Sequence, residues 1–384
     1  IVQYYFPYKN LFDEDWENVL EEFIPKIINV NNETDYTLTV LELIGRVHDT
    51  HANIWGVNQV LNNYLGIKYA AVDLTFIENK PVVTGYYDEK SGKDAGLEIG
   101  DIITAINNIP IEVIIKDRLK YAPASNYSTQ LRDIANNLLR TNDSIINIEF
   151  IRNNKTGLKQ ITAYSKDKIN IYSKFSRKDT CFKMLDPNIA YIYPGTIQTA
   201  YLPEIMKQTK NTKGIIIDMR CYPSEFVVFS LGEYLMPNAS EFVKFSKGSI
   251  TKPGVFTLTD VLKVGAENKD YYIGKVILLI NESTQSQAEY TTMAFRVAPH
   301  ATVIGSTTAG ADGNVSQFYL PGGISTMISG IGVYYPDGKE TQRVGIVPDI
   351  EIKPTIQGIK KGRDELMEKA IEIQKQMHSF QTEN

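Results

Sequence analysis

The chain has 384 residues, 43% hydrophobic and 22% charged, with 40 Lys and Arg against 45 Asp and Glu for a formal net charge of -5. Single cores seldom grow past roughly 250–300 residues, so two or three domains are expected, and this balance of apolar and charged residues excludes a disordered chain. No basic run with interleaved aromatics suits a phosphate backbone, which argues against nucleic acid as a partner, and no apolar stretch nears the roughly 18–20 residues that span a bilayer.

The chain opens on Ile1 rather than Met, so a leader is neither visible nor excluded. Its first 60 residues carry apolar positions at helical spacing, with Trp16, Val19, Leu20, Phe23 and Ile24, then Leu38, Leu41, Ile44 and Val47, which predicts a small N-terminal helical domain over 1–60. From about Tyr64 the pattern becomes short β-rich runs at 71–77, 81–83, 102–106 and 145–151, punctuated by turn residues. Within them, residues 91–110 read as a short helix ending at glycine, then a Gly100-Asp101 turn that launches a strand. Ala95 to Asn107 fits A-G-L-x-x-G-D-x-I-x-x-I-N at every fixed place, and so resembles a PDZ domain, here over 61–165. A PDZ domain implies a sheet edge that accepts an extended peptide. Leu65, Gly66 and Ile67 resemble the loop that holds a peptide's terminal carboxylate.

After a polar connection near 165–178 the chain alternates strands (189–192, 214–219, 276–280) with helices (202–208, 227–235, 287–297), the signature of a layered α/β domain over 166–384. Cys181 and Cys221 lack metal-ligand spacing and are too few for a disulfide scaffold, so no metal or cofactor is called for.

The stretch 275–290 runs from an apolar strand through a polar turn into a helix. A serine there lies beside unpaired helix amides and the positive end of the helix dipole, which suits a nucleophile with an oxyanion donor next to it. Ser283 or Ser286 could equally serve only as an N-cap. The S-x-x-E spacing of Ser286 and Glu289, the Gly305-Ser-Thr-Thr-Ala-Gly310 loop and the Gly345-Ile-Val-Pro-Asp349 ending together resemble the tail-specific, C-terminal processing and Tricorn-core serine peptidases. That resemblance implies a ClpP/crotonase-like α/β catalytic domain, peptide or unfolded protein as substrate, acyl-enzyme chemistry without a cofactor, and an exported protein of periplasm, cell surface or medium. It makes Ser286 the nucleophile.

Members of the Ser-Lys branch place their lysine where this chain has Ala311, so the base must be another group. Of His48, His51, His300 and His378, only His51 falls in a segment, Asp49-Thr50-His51, that resembles the D-x-H element of the Tricorn-like branch. The resemblance makes His51 the base and Thr50 a hydroxyl that orients its neighbours. A carboxylate near the C-terminal end completes the relay in that branch. Glu340 is the carboxylate available, while counting back from Gly345 lands on Gln342.

One oxyanion donor is the backbone amide of Gln287. The other should come from residues 218–225, where the family commonly reads D-x-R-x-N-x-G-G and this chain reads Asp-Met-Arg-Cys-Tyr-Pro-Ser-Glu. Asp218 and Arg220 fit, also as a plain ion pair. The glycines are missing and Pro223 has no amide, which leaves Tyr222 or Ser224 as donor. That departure keeps open a catalytically silent homologue that binds peptide ends; a further alternative is an esterase using the same serine.

Overall fold

The structure, a computed structural model, describes the backbone of residues 1–173 and 180–381 and the side chains of 1–173 and 180–376. Residues 174–178 of the connection expected at 165–178, and the side chain of His378, lie outside the described residues.

Two capped helices organise the N-terminal segment. Asp15 caps Trp16–Ile28 by accepting from the Glu17 amide, and Asn32 caps Glu33–Gly45 by accepting from the Asp35 amide. The second helix buries Thr37, Val40, Leu41 and Ile44 at i, i+3, i+4 and i+7; of the expected apolar positions Leu41, Ile44 and Val47 are buried and Leu38 is half-buried. The first buries only Val19 and Phe23, whereas Leu20 and Ile24, expected in the core, are exposed with Ile28. The reason lies in what completes this core. Phe6, Tyr8, Val40, Leu41, Ile44 and Ala52 pack against Ile324, Ile328 and Tyr334, and the hairpin Val315–Leu320/Ile324–Ser329 covers one side of the helices only. Tyr8 ties the two together by accepting from the Val333 amide and donating to the Val333 carbonyl. The N-terminal segment therefore shares its core with the C-terminal half, which fixes the place of residues 49–51.

The β-rich stretch forms an antiparallel sheet in the order Val72–Ile77, Lys80–Tyr86, Ile102–Ile106, Ile145–Arg152, Lys155–Ser165, Lys68–Ala70, Arg140–Thr141. Its core joins Val72, Leu74, Val83, Leu97, Ile103, Ile148 and Ile161 to Ile134 and Leu138 of the helix Tyr127–Leu138. The Gly-Asp turn has a clear physical basis. Gly100 takes φ +91°, and buried Asp101 accepts from the Glu98 amide and pairs with Arg152 at 2.5 Å.

The C-terminal half is built on a sheet in the order Ile350–Glu351, Thr302–Gly305, Lys275–Ile280, Gly214–Asp218, Ile189–Ile192, Phe182–Asp186, parallel except for the last strand. Gly214–Asp218 and Ile189–Ile192 are buried along their whole length, as strands covered on both faces must be. The helices Leu202–Thr209, Val228–Leu235 and Gln287–Phe295 cover one face; the C-terminal helix Glu365–Gln381 lays Leu366 and Ala370 on the other. The expected α/β layering and all three expected strands are present.

Gly305, where the strand Thr302–Gly305 enters the next loop, adopts φ +133°, and a Cβ there would stand 1.9 Å from the Ile280 carbonyl oxygen. Gly305→Ala is expected to lower stability by about 2–4 kcal/mol through strain and collision, read as a lower midpoint in urea unfolding. An unchanged midpoint would count against this close approach.

Candidate active site

The serine turn begins where Lys275–Ile280 ends. Asn281 accepts from the Ser283 amide at 2.9 Å, and the Thr284 hydroxyl donates to the Met219 carbonyl, so the turn is pinned to the neighbouring strand. Ser286 then sits at φ +56°, ψ -120°, a conformation that L side chains seldom adopt and that costs about 1–3 kcal/mol. It is held there from two sides. Its amide donates to the Ala311 carbonyl at 3.0 Å and to Glu289 Oε2 at 3.1 Å. The fully buried Glu289 also accepts from the amides of Gly310 (2.8 Å) and Ala311 (3.1 Å) and from the Thr308 hydroxyl. Burial lifts this carboxyl above its ordinary value against the pull of those donors.

The Gln287 amide, first in the helix, donates to no protein group among the described residues, and neither does the Tyr222 amide. Both residues border the same cavity as Ser286, and the Gln287 side chain donates to the Glu225 carbonyl, tying the two loops together. Ser224 cannot be the second oxyanion donor: its amide is spent on the Pro194 carbonyl at 3.0 Å and its hydroxyl on Ile197. Asp218 and Arg220 form a structural pair at 2.8 Å, braced by Tyr191 and Asp364.

A second cluster surrounds His51. Its Nδ1 lies 2.9 Å from the Ser329 hydroxyl, which in turn lies 3.0 Å from Asp49 Oδ1. Asp49 is fully buried and accepts further from the amides of His51 and Ser329 and from the Gln342 side chain at 3.2 Å. An ionised carboxylate only accepts, so the Ser329 proton points to Asp49 and the Ser329 oxygen accepts from His51 Nδ1–H. This tautomer leaves Nε2 with its lone pair, the state a general base requires. Burial holds His51 below the usual imidazole value of 6.5, partly opposed by the charge of Asp49.

The two clusters meet on one loop. Ala311 takes the Ser286 amide, and two residues earlier the Ala309 carbonyl accepts from the Thr50 hydroxyl at 3.0 Å. Thr50 is locked in turn by Ser125, whose own hydroxyl lies 3.4 Å from Gln342 Nε2. Among the described residues no hydrogen bond joins His51 to Ser286; such bonds are often made only once substrate is bound.

Glu340 lies outside this cluster. Its carboxylate accepts from Asn10 at 3.2 Å near the surface, while the buried residue at the relay is Gln342. The carboxylate there is Asp49, two residues before the histidine, and Ser329 links the two. Neither was singled out in the sequence: Asp49 was visible as part of the motif, but nothing local marks Ser329. The loop Leu65-Gly66-Ile67 is also differently employed. The Gly66 and Ile67 amides are bonded to the Asn62 carbonyl and to Asn142 Oδ1, and the Gly66 carbonyl accepts from Arg140, so no amide nest faces a carboxylate. Val72–Ile77 is one edge of the sheet, beside the helix Tyr127–Leu138, and Arg140–Thr141 the other.

Residues 188–352, which hold Ser286, Glu289, Ser329 and Gln342, match the family model of peptidase family S41. Those residues form a peptidase family S41 region. The chain is similar in fold to mature CPAF complexed with lactacystin (TM-score 0.73, 12% identity, covering 100% of this chain and 97% of that one). It is also similar to a putative peptidase from Parabacteroides merdae ATCC 43184 (TM-score 0.60, 16% identity, 97% and 93% covered) and to the photosystem II D1 C-terminal processing protease (TM-score 0.51, 13% identity, 94% and 93% covered). No curated protein matches the sequence. Among the described residues, no helix is long and apolar enough to cross a membrane.

Proposed function

We propose that this serine peptidase cleaves unstructured or C-terminal protein segments through an acyl-enzyme on Ser286. Ser286 Oγ bonds to the scissile carbonyl carbon as its proton passes to His51 Nε2, and the Gln287 and Tyr222 amides receive the oxyanion. The C–N bond then breaks, with His51 returning the proton to the leaving amine. Water deprotonated by His51 releases the acyl group. Ser329 and Asp49 hold the imidazole tautomer and stabilise its cationic form, while Thr50 and Ser125 fix the backbone that carries it.

The observation that carries this reading is the shared loop, which takes the Ser286 amide at Ala311 and the Thr50 hydroxyl at Ala309. A fluorophosphonate probe tests it: folded wild type is expected to label and to hydrolyse an unfolded polypeptide, and Ser286→Ala to do neither. Absence of labelling in wild type would favour the silent peptide binder, and faster hydrolysis of simple esters than of peptides would favour the esterase. Export of the peptidase itself, to periplasm, cell surface or medium, belongs to the same proposal, and fractionation of the producing cell checks it.

A further inference from the structure

Beside Ser286 opens a cavity of about 540 Å³ whose walls include Tyr222, Phe226, Phe245, Tyr290 and Ile331. Phe226 and Phe245 both stack on the Tyr290 ring, at centroid distances of 5.8 and 6.0 Å and interplanar angles of 24° and 21°. Asp312 also borders this cavity, and the proposed mechanism has no use for it. It is 1% exposed; one carboxylate oxygen accepts from the Gly313 amide at 2.7 Å, and the other, Oδ2, is buried with no partner. A buried carboxyl oxygen without a donor is expensive to keep, at about 1–3 kcal/mol or more, and native proteins seldom keep one without a use.

We infer that this cavity receives the side chain on the acyl side of the scissile bond, and that Asp312 selects a cationic one, arginine or lysine. This rests on Ser286 being the nucleophile. The cavity holds both Ser286 and the two oxyanion amide donors, so the residue whose carbonyl is attacked must project its side chain into it. Aromatic faces favour a cation's stem and head, and a guanidinium or ammonium supplies the donor that Asp312 Oδ2 lacks. A neutral aliphatic side chain leaves that oxygen as it stands, buried and unbonded. Burial and the nearby Glu289 charge push the Asp312 carboxyl well up, and an entering cation pulls it back toward the ionised form. The charged groups facing it are few: Glu289 and the phenols of Tyr8, Tyr290 and Tyr335 from within, and exposed Lys247 at the rim.

The test compares matched unstructured peptides with arginine, its neutral isostere citrulline, or methionine before the scissile bond. Wild type is expected to show kcat/KM for arginine at least about tenfold above citrulline, the scale of one charge-assisted hydrogen bond, and Asp312→Asn to bring that ratio to about one. Wild type that cleaves methionine or citrulline peptides as fast as arginine peptides overturns the proposal while leaving the peptidase standing, and this arm needs no variant to fold. Calorimetric binding of benzamidine to Ser286→Ala, with benzyl alcohol as the neutral control, reads the cavity without chemistry. Binding that requires Asp312 supports the cation site even if wild type fails to label with fluorophosphonate, an outcome that would sink the nucleophile alone. Benzamidine binding no tighter than benzyl alcohol overturns the cation site.

Discussion

His51→Ala is expected to lower kcat on an unfolded polypeptide by about 10⁴- to 10⁶-fold, the loss seen when a hydrolytic triad member is removed. The size follows from the arrangement. A serine hydroxyl is a poor nucleophile near neutral pH, and among the described side chains the imidazole joined through Ser329 to Asp49 is the one held with a free ring nitrogen beside the loop that grips Ser286. The pH profile should carry the same signature. Burial lowers the His51 pKa below 6.5, so the base is neutral and active above that lowered value and protonated and inactive beneath it. The acid limb of kcat/KM in wild type is therefore expected to lie on the acid side of 6.5. A variant retaining activity within tenfold of wild type, or an acid limb above 6.5 in wild type, would remove His51 from the role of base.

What the sequence made legible is what is local in it. Asp49-Thr-His51 and Ser286-x-x-Glu289 are short segments whose own backbone sets their geometry, a tight turn in one case and a strand-to-helix entry in the other. The glycines at 100 and 305 mark places where the backbone needs a left-handed or crowded conformation. Ser329 carries no such mark, because it serves His51 only through a hairpin packed on the N-terminal helices, a contact made across 278 positions. Glu340 attracted attention for its chemistry, but Glu340 is bridged to Tyr334 near the surface and the chain turns inward only afterwards, putting Gln342 in the cluster. Leu20 and Ile24 show the same limit from the other direction. Helical spacing locates an apolar face without saying whether a neighbour covers it. The helix Tyr127–Leu138, not singled out beforehand, did carry signals: Asn126 as cap, then Leu131, Ile134, Ala135 and Leu138 at helical spacing.

In the sequence Glu289 marks only the spacing to Ser286; in the structure it holds the serine turn in place. Its two oxygens accept from three backbone amides and the Thr308 hydroxyl, drawing the serine turn and the 308–311 loop onto one buried point. Glu289→Ala leaves the Gly310 and Ala311 amides and the Thr308 hydroxyl in the interior without that acceptor, at about 1–3 kcal/mol for each that water cannot reach, while the Ser286 amide keeps only the Ala311 carbonyl. The expected loss is about 3–5 kcal/mol of stability, comparable to breaking a buried charged network, together with loss of the Ser286 backbone conformation at φ +56°. Glu289→Gln keeps the volume and one carbonyl oxygen but turns an NH₂ group toward donors, so it should fold better than the alanine variant and still label slowly with fluorophosphonate. Urea unfolding and labelling rates of the two variants separate these effects. If Glu289→Ala unfolds at the wild-type midpoint and labels at the wild-type rate, the carboxylate does not hold the nucleophile, and the strained serine must owe its conformation to the Ala311 carbonyl and the strand alone.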